Sequence, residues 1–211
     1  MKTASLHVVP ANRFARRRER TRQELLAAAS RVLAEKGLHQ TKIADIAAAA
    51  DVGVGTFYLY FPTKEALFDA VVDDSVRRLK QTVDLARTAA REPIERMRAA
   101  NAAFCRFAQD NREVFKIVFG HAAAFNDVVR DAQELFAADI EETLREGIEA
   151  GVFTALPTGL TAQAVIGMVT QMLSWWTQNE SVPLETIHET VMTLALRGLS
   201  PAADAKGVHH G

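Results

Sequence analysis

Helical periodicity runs along almost the whole chain, and the apolar–polar alternation of strands is nearly absent. Only six prolines occur in 211 residues, and several periodic segments end at glycine or are bounded by proline, as helices do. Apolar residues at i, i+3, i+4 and i+7 predict amphipathic helices, so we expect an all-α fold. About nine helices are predicted, near residues 15–36, 42–50, 54–60, 63–88, 93–109, 111–119, 123–150, 160–179 and 184–199.

Glycines and an aromatic run mark the second and third predicted helices. We expect Thr41, Thr63 and Thr161 to cap the second, fourth and eighth helices. Gly53 and Gly55 should leave the start of the third helix almost bare, so that its backbone can approach a phosphate or a base edge. A helix of about eight residues, a turn of three and a helix of about seven form a helix-turn-helix.

The aromatic residues of this segment are expected to divide their roles. Phe57 and Phe61 should be buried as anchors of a small core. Tyr58 and Tyr60 carry hydroxyls that can hydrogen-bond phosphate oxygens. The pattern favours a helix that docks on DNA, while a tight helix–helix corner with an aromatic core is the alternative.

The net charge of −1 hides an uneven distribution. Residues 1–64 carry eleven Lys and Arg against five Asp and Glu, whereas residues 65–211 carry fourteen against twenty-one. The segment "RFARRRERTR" at residues 13–22 alone has six arginines. It is either a solvated helix start or tail, or an additional contact to phosphates and the minor groove. The asymmetry predicts that one part of the chain meets a polyanion.

Other function classes find little support in the sequence. No GxSxG, P-loop or dinucleotide motif occurs, and the six histidines are scattered. We therefore expect no enzymatic activity, no metal site and no cofactor. No run of about 18 apolar residues predicts a membrane span, no secretory signal is recognised at the start, and the lone Cys105 fits a reducing cytoplasm.

The segment "TKIADIAAAADVGVGTFYLYFPTKEALF", residues 41–68, resembles the DNA-binding signature of the TetR family of regulators. The resemblance extends over about residues 15–70. It implies a flexible basic arm at 1–14, a helix-turn-helix DNA-binding domain at 15–62, and a ligand-binding and dimerisation domain at 63–200, with a disordered tail at 201–211. The third helix of each subunit would enter the major groove of a double-stranded operator.

By the same resemblance, eight positions are expected to contact DNA. The first two lie at the start of the second helix, the next three begin the recognition helix, and the last three reach backbone or nearby bases. They are Thr41, Lys42, Val54, Gly55, Thr56, Tyr58, Tyr60 and Lys64.

The chain also departs from the family pattern. Asp51 stands in the turn where Gly is usual, and Gly53, Val54 and Leu59 stand where polar residues are frequent. Direct hydrogen-bond readout should therefore be sparse. Specificity is expected to depend on Thr56, the tyrosines, backbone contacts and DNA shape.

Six of the eleven phenylalanines lie between residues 104 and 136. In TetR-like proteins this region surrounds a ligand cavity, so a small hydrophobic effector is implied, and ordinary core packing is the alternative. The residues expected to line the cavity are Phe104, Phe107, Phe115, Phe119, Phe125, Met168, Met172 and Trp175. Asn101, His121, Asn126 and Gln171 are weaker candidates for polar contacts.

The last two long helices carry apolar faces, which in TetR-like proteins form a four-helix homodimer interface. The faces comprise Val165, Met168, Val169, Met172 and Trp176, and Ile187, Val191 and Leu194. The alternative is that they close the core of the monomer.

These observations favour a ligand-responsive regulator, usually a repressor, released from a palindromic operator by an apolar effector, with the fourth helix as the coupling element. An architectural DNA-binding protein without an effector is the alternative, and a small-molecule carrier that no longer binds DNA is a third. The operator, the regulated genes and the effector are not identified by the sequence.

Overall fold

A computed structural model of the chain describes residues 13–120, 122–179 and 181–201. Within these residues nine helices and no strand are present, which confirms the predicted all-α fold. Most of the predicted basic arm (1–12) and of the predicted tail (202–211) lies outside the described residues. The helices are α1 (Arg13–Gln40), α2 (Ile43–Ala49), α3 (Val54–Tyr58), α4 (Lys64–Ala89), α5 (Pro93–Asp110), α6 (Arg112–Gly120), α7 (Ala122–Glu149), α8 (Thr158–Trp176) and α9 (Leu184–Leu199).

The chain divides into two compact units, residues 1–71 and 72–211. Helices α1 to α3 belong to the first unit and α5 to α9 to the second, while α4 contributes residues to both. The domain boundary predicted from the sequence lies between residues 62 and 63, which would assign all of α4 to the second domain. That boundary stays a prediction. Among the described residues, no helix has the length and apolar character needed to cross a bilayer.

A small apolar core holds the first unit together, in which α1 packs against α2 and α2 against α3. The side chains of Leu25, Leu33, Ile46 and Phe57 are fully buried there. Ala47 is also buried, and its small side chain lets the helices approach closely. Five apolar residues of α1 are all buried in this core: Leu25, Leu26, Ala29, Val32 and Leu33.

The turn between α2 and α3 is a Schellman motif with an aspartate at the position usually taken by glycine. Val52 N–H donates to Ala47 O over 3.0 Å, and Asp51 N–H donates to Ala48 O over 3.1 Å. Asp51 accordingly has a φ of 55°, in the left-handed region. Asp tolerates this conformation better than most residues do, because its short polar side chain can hydrogen-bond locally.

Of the threonine caps predicted in the first part of the chain, one is confirmed and one is wrong. Ala66 N–H donates to Thr63 Oγ1 over 3.1 Å, so Thr63 caps α4 as predicted. The N-cap of α2 is Lys42 and not Thr41. Thr41 is only 2% exposed, and its hydroxyl donates to Gly37 O over 2.7 Å. The Thr41 hydroxyl is therefore bonded to the end of α1, and no cap bond to α2 is present.

The second unit is built around one apolar core. Helix α7 packs against α8, and α5 packs against α9 and α7. Its most deeply buried side chains include Leu144, Leu173, Val191 and Met192. Thr161 was wrongly predicted as a cap, since α8 begins at Thr158 and the Thr161 hydroxyl donates to the carbonyl of the N-cap residue, Pro157.

Most of the apolar side chains predicted to form a dimer face lie inside this core. Val165, Val169 and Trp176 of α8 and Ile187 and Val191 of α9 are buried within the chain itself. For these residues the alternative, closure of the monomer core, is correct. Periodicity identifies an apolar face, but it does not distinguish a face covered by the chain's own helices from one that a second copy covers.

The left-handed turn at Asp51 yields a stability prediction. We expect Asp51→Gly to keep or raise the free energy of unfolding, because glycine has no Cβ to strain at a φ of 55°. Asp51→Val should lower it by about 1–2 kcal/mol relative to the glycine variant. Urea unfolding followed by circular dichroism measures both, and equal stability of the two variants would contradict the assignment.

Candidate nucleic-acid interface and apolar cavities

The aromatic run around α3 separates into buried rings and an exposed phenol. Phe57 is 0% and Phe61 3% exposed, with ring centroids 5.9 Å apart. Tyr58 is 51% exposed, and its ring meets the edge of Phe57 at a centroid distance of 5.5 Å. Tyr60 is half-buried. The buried rings anchor the short helix, and the Tyr58 hydroxyl is held on a surface from which it can donate to a phosphate oxygen.

The start of α3 presents little besides backbone. A Cβ built on Gly53 or on Gly55 would meet no heavy atom within 4 Å, so packing inside the chain does not require either glycine. The open space is instead accessible from solvent, where Val54 is 43% exposed. Thr56, half-buried, follows on the same short helix. This arrangement allows close approach of a groove edge to the backbone.

The predicted phosphate contacts at the ends of α2 and α4 have unequal access. Lys42 is exposed. Lys64 is half-buried, with its ammonium 5.2 Å from the centroid of the Phe68 ring. Thr41 is buried, so a contact from its side chain would require exchange of its bond to the Gly37 carbonyl. The structure therefore brings seven of the eight predicted residues to partly or fully exposed positions and buries the eighth, Thr41.

The basic start of α1 lies beside the end of α3. Phe14, Arg17 and Arg18 line a shallow concave surface together with Leu59 and Tyr60. Arg17 and Arg18 are exposed, as is Leu59 at 74%. This placement is compatible with the phosphate-contact interpretation of "RFARRRERTR" as well as with a solvated helix start, and the contact stays a prediction.

An acidic side chain on α2 is neutralised within the same unit. Lys36 Nζ lies 3.0 Å from Asp45 Oδ1, and Lys42 N–H donates to Asp45 Oδ2 over 3.2 Å. The hydrogen bond from Lys36, followed by that from the Lys42 backbone, lowers the pKa of Asp45. The carboxylate is therefore ionised at neutral pH, but its charge is offset by an adjacent ammonium.

The second unit contains an apolar cavity lined largely by aromatic and aliphatic side chains, which we call the aromatic cavity. Helices α4, α5, α6, α7 and α8 contribute to its wall, and its volume is about 70 Å³. Four of the predicted ligand residues line it: Phe104, Phe107, Phe115 and Phe119. Their rings form a chain of contacts through Phe115, with centroid distances of 6.0–6.5 Å.

Three further predicted ligand residues, all on α8, do not line the aromatic cavity. Met168 and Met172 pack against the core as partly buried side chains, and Trp175 is 43% exposed. None of the three lines the aromatic cavity or its neighbour. Helical spacing correctly groups these residues on one side of α8, but Ile166, Leu173 and other residues occupy the side that faces inward. The side chain of Phe125 lies outside the part that the structure describes.

A neighbouring cavity of about 60 Å³ has charged groups in its wall, and we call it the charged cavity. Asp139 lies 3.0 Å from Lys80 Nζ and 3.6 Å from Arg87. Arg87 also binds Glu142 over 2.7 Å, and Arg96 forms an ion pair with Glu146. These cations are already paired with carboxylates of α7. Phe104 and Phe136, in edge contact at 5.3 Å, line both cavities and form their common wall.

A buried polar pair joins α5 to α9 at the charged cavity. Asn101, a predicted polar contact, is 8% exposed, and its Oδ1 lies 2.7 Å from His188 Nδ1. Burial is the main cause that lowers the pKa of His188, and Arg98 and Arg106 act in the same direction. Burial also raises the pKa of Cys105 to about 11, so the thiol is protonated at neutral pH.

Sequence reasoning missed the polar groups of the aromatic cavity, Ser75, Gln133 and Thr170. The available signal was a serine on the apolar stripe of α4, between Val72 and Leu79. Of the other polar candidates, Gln171 is exposed, while His121 and the Asn126 side chain lie outside the described residues. Within the described residues, no group of three or more His, Cys, Asp or Glu could hold a metal ion.

Comparison with known families gives two matches along the chain. Residues 25–71 match the family described as "Bacterial regulatory proteins, tetR family". Residues 90–199, just over half of the chain, match a "Tetracyclin repressor-like, C-terminal domain". The two matched segments contain α3 and the helices around both cavities, apart from part of α4.

Individual relatives agree with these matches. The HTH-type transcriptional regulator YhgD of Bacillus subtilis, itself uncharacterized, is 25% identical over 83% of this chain and 95% of its own. The fatty acid degradation regulator FadR from Bacillus halodurans has a TM-score of 0.72 and 23% identity, over 83% of this chain and 94% of that one. The regulator RolR, in a complex with the ligand resorcinol, has a TM-score of 0.64 and 25% identity, over 90% and 92%.

The half-buried His188 yields a prediction of pH dependence. In the unfolded chain a histidine binds its proton near pH 6.5, whereas burial lowers the pKa of His188 in the folded protein. The unfolded state therefore binds more protons below about pH 6.5, and stability should fall as the pH falls through that value. Urea unfolding at several pH values should show a smaller decline for His188→Gln. Equal declines in wild type and variant would contradict this, with His39→Gln as a control at an exposed position.

Proposed function

The chain belongs to the TetR family of bacterial regulatory proteins, and from this membership we propose that it is a homodimeric transcriptional repressor. In this proposal residues 15–62 bind a palindromic DNA operator, and residues 63–200 bind a small, largely apolar effector and a second copy of the chain. The effector releases the repressor from DNA.

The observation that carries the proposal is the surface of α3. Buried Phe57 and Phe61 fix the helix, and its outer side consists of a bare glycine backbone, the Thr56 hydroxyl and the exposed Tyr58 phenol. Backbone N–H groups and hydroxyls are common donors to phosphate, and a threonine can also meet a base edge. Arg17 and Arg18 beside the end of this helix add sequence-independent attraction.

The two cavities of the second unit support a small-molecule effector. Both have walls formed mainly by apolar side chains, as small-molecule sites do. RolR, a relative at 25% identity, binds resorcinol, an aromatic compound, and FadR is described as a regulator of fatty acid degradation. The aromatic ring of resorcinol is the kind of group that a cavity lined by phenylalanine rings favours.

A dimer is supported by apolar side chains that the chain itself does not cover. On α8, Leu160 is 74% and Trp175 43% exposed, and on α9 Leu194 is 59% exposed. Ala164 and Gly167, between the two exposed residues of α8, are small enough to allow close helix approach. Two copies joined through these helices would present two α3 helices to successive turns of DNA, about 34–36 Å apart.

Helix α4 is proposed as the coupling element, because it supplies the first residues after the helix-turn-helix and part of the wall of the aromatic cavity. An effector acts only through its difference in affinity between DNA-competent and DNA-incompetent forms. To shift their ratio from 1:99 to 99:1 it needs about a 10⁴-fold preference.

The alternative function is an architectural DNA-binding protein whose phenylalanines only fill a core. Thermal shift assays with a panel of hydrophobic compounds distinguish the two. A compound that raises the melting temperature and weakens operator binding supports the repressor, and no such compound in a broad panel supports the alternative.

The DNA-binding proposal is tested by removing the two hydroxyls of α3. We expect Thr56→Ala with Tyr58→Phe to weaken binding to a duplex selected from a random pool by about 100-fold, because each hydrogen bond to a charged group is worth about tenfold or more. Fluorescence anisotropy measures the affinity. The phenylalanine keeps the ring against Phe57, and Thr82→Ala, exposed on α4, is the matched control. A folded double variant with unchanged affinity would refute the proposal.

The dimer is tested at its central exposed leucine. We expect Leu194→Asp to shift the molecular mass measured by light scattering from dimer to monomer, because the interface would bury an unpaired carboxylate from each copy. Leu85→Asp is the control, since Leu85 is also highly exposed, at 74%, but lies on α4. A dimeric Leu194→Asp protein would place the interface elsewhere.

A further inference from the structure

Ser75 of α4 carries a buried hydroxyl without a hydrogen-bond partner in the part of the chain that the structure describes. The residue is 4% exposed and lines the aromatic cavity. Helical hydroxyls commonly donate to the carbonyl four residues back, as Thr82 does to Arg78 O over 2.9 Å and Thr143 to Asp139 O over 3.0 Å. Ser75 makes no such bond, and an unpaired buried hydroxyl is costly unless something else satisfies it.

Two other polar side chains of this cavity already bond within the protein. Gln133 Nε2 donates to Thr170 Oγ1 over 2.9 Å, and the Thr170 hydroxyl donates to Ile166 O over 3.0 Å. None of the described lining residues is Asp, Glu, Lys, Arg or His. In the described wall, the Ser75 hydroxyl is therefore the fully buried polar group that has no hydrogen-bond partner.

The described part of the wall contains no charged side chain, which restricts what the cavity can hold. A carboxylate or ammonium buried there would lose its hydration without a counter-charge, which is strongly unfavourable. The Phe104, Phe115 and Phe119 rings favour an aromatic or alicyclic body. The charged cavity on the other side of Phe104 and Phe136 differs, since its wall includes Arg87, which is paired with Asp139 and Glu142.

We infer that the effector is a neutral, mainly apolar molecule with one hydroxyl or carbonyl oxygen, and that Ser75 is the specificity-determining residue that hydrogen-bonds this oxygen. The inference rests on the proposed function, because it names the chemical class of the proposed effector. It also gives the effector a direct contact to α4, about three helical turns after Lys64. A bond made to α4 in only one of two forms would bias the position of that helix.

Three matched probes test the inference by calorimetry at pH 7.5: para-propylphenol, propylbenzene and para-propylbenzoate. The wild-type protein should bind the phenol about tenfold more tightly than the hydrocarbon, the usual worth of one hydrogen bond. The benzoate, which is charged at this pH, should not bind measurably. Ser75→Ala should reduce the preference for the phenol over the hydrocarbon to less than about twofold.

A purely structural role for Ser75 is excluded by stability measurements on the same variants. Ser75→Ala should not lower the melting temperature of the unliganded protein, because the hydroxyl that it removes has no partner. Thr82→Ala, which removes a bonded hydroxyl elsewhere on α4, is the control and should retain the full preference for the phenol.

The inference is overturned if the wild-type protein binds the phenol and the hydrocarbon equally, if the benzoate binds as tightly as the phenol, or if none of the three probes binds at millimolar concentration. A preference that survives in Ser75→Ala also overturns it. Binding of the unliganded protein to a selected duplex is measured separately. If the unliganded protein does not bind a selected duplex, the proposed function is refuted. The outcomes above refute only the assignment of Ser75.

Discussion

The burial of Phe57 is the interaction on which the proposed DNA-binding surface depends. Helix α3 has only five residues, and isolated helices shorter than about 12–15 residues are marginal in water. Its position is therefore set by the fully buried Phe57 ring and by Phe61 beside it. With these rings inside, helical geometry turns Val54 and Tyr58 outward, and the two nearby glycines keep their backbone uncovered.

Packed aromatic rings also organise the second unit, but there they leave cavities between the helices. There Phe104, Phe115 and Phe136 are packed edge to face rather than filling all the space between the helices. Two cavities remain on either side of the contact between Phe104 and Phe136. One contains ion pairs and the other is lined by uncharged groups, so a single aromatic wall separates two distinct chemical environments.

Local signals in the sequence were reliable where the interaction itself is local. The apolar face of α1, the Thr63 cap and the division of Phe57 from Tyr58 all depend on residues within one or two helical turns. A threonine near the start of a helix was a less reliable signal, because its hydroxyl can hydrogen-bond locally in more than one way. The Thr41 and Thr161 hydroxyls donate to carbonyls four residues back, and neither residue is an N-cap. Such local bonds are an alternative to capping for threonine.

The sequence by itself determined the helical class, the helix-turn-helix with its aromatic anchors and the family to which the chain belongs, because periodicity and fixed spacing act over short stretches of chain. Only the tertiary structure decided which side of α8 faces inward, which removed Met168, Met172 and Trp175 from the cavity wall. It also left Ser75 unpaired inside an uncharged cavity. The physical reason is that burial depends on which helices cover a face, and that covering comes from residues distant in the chain.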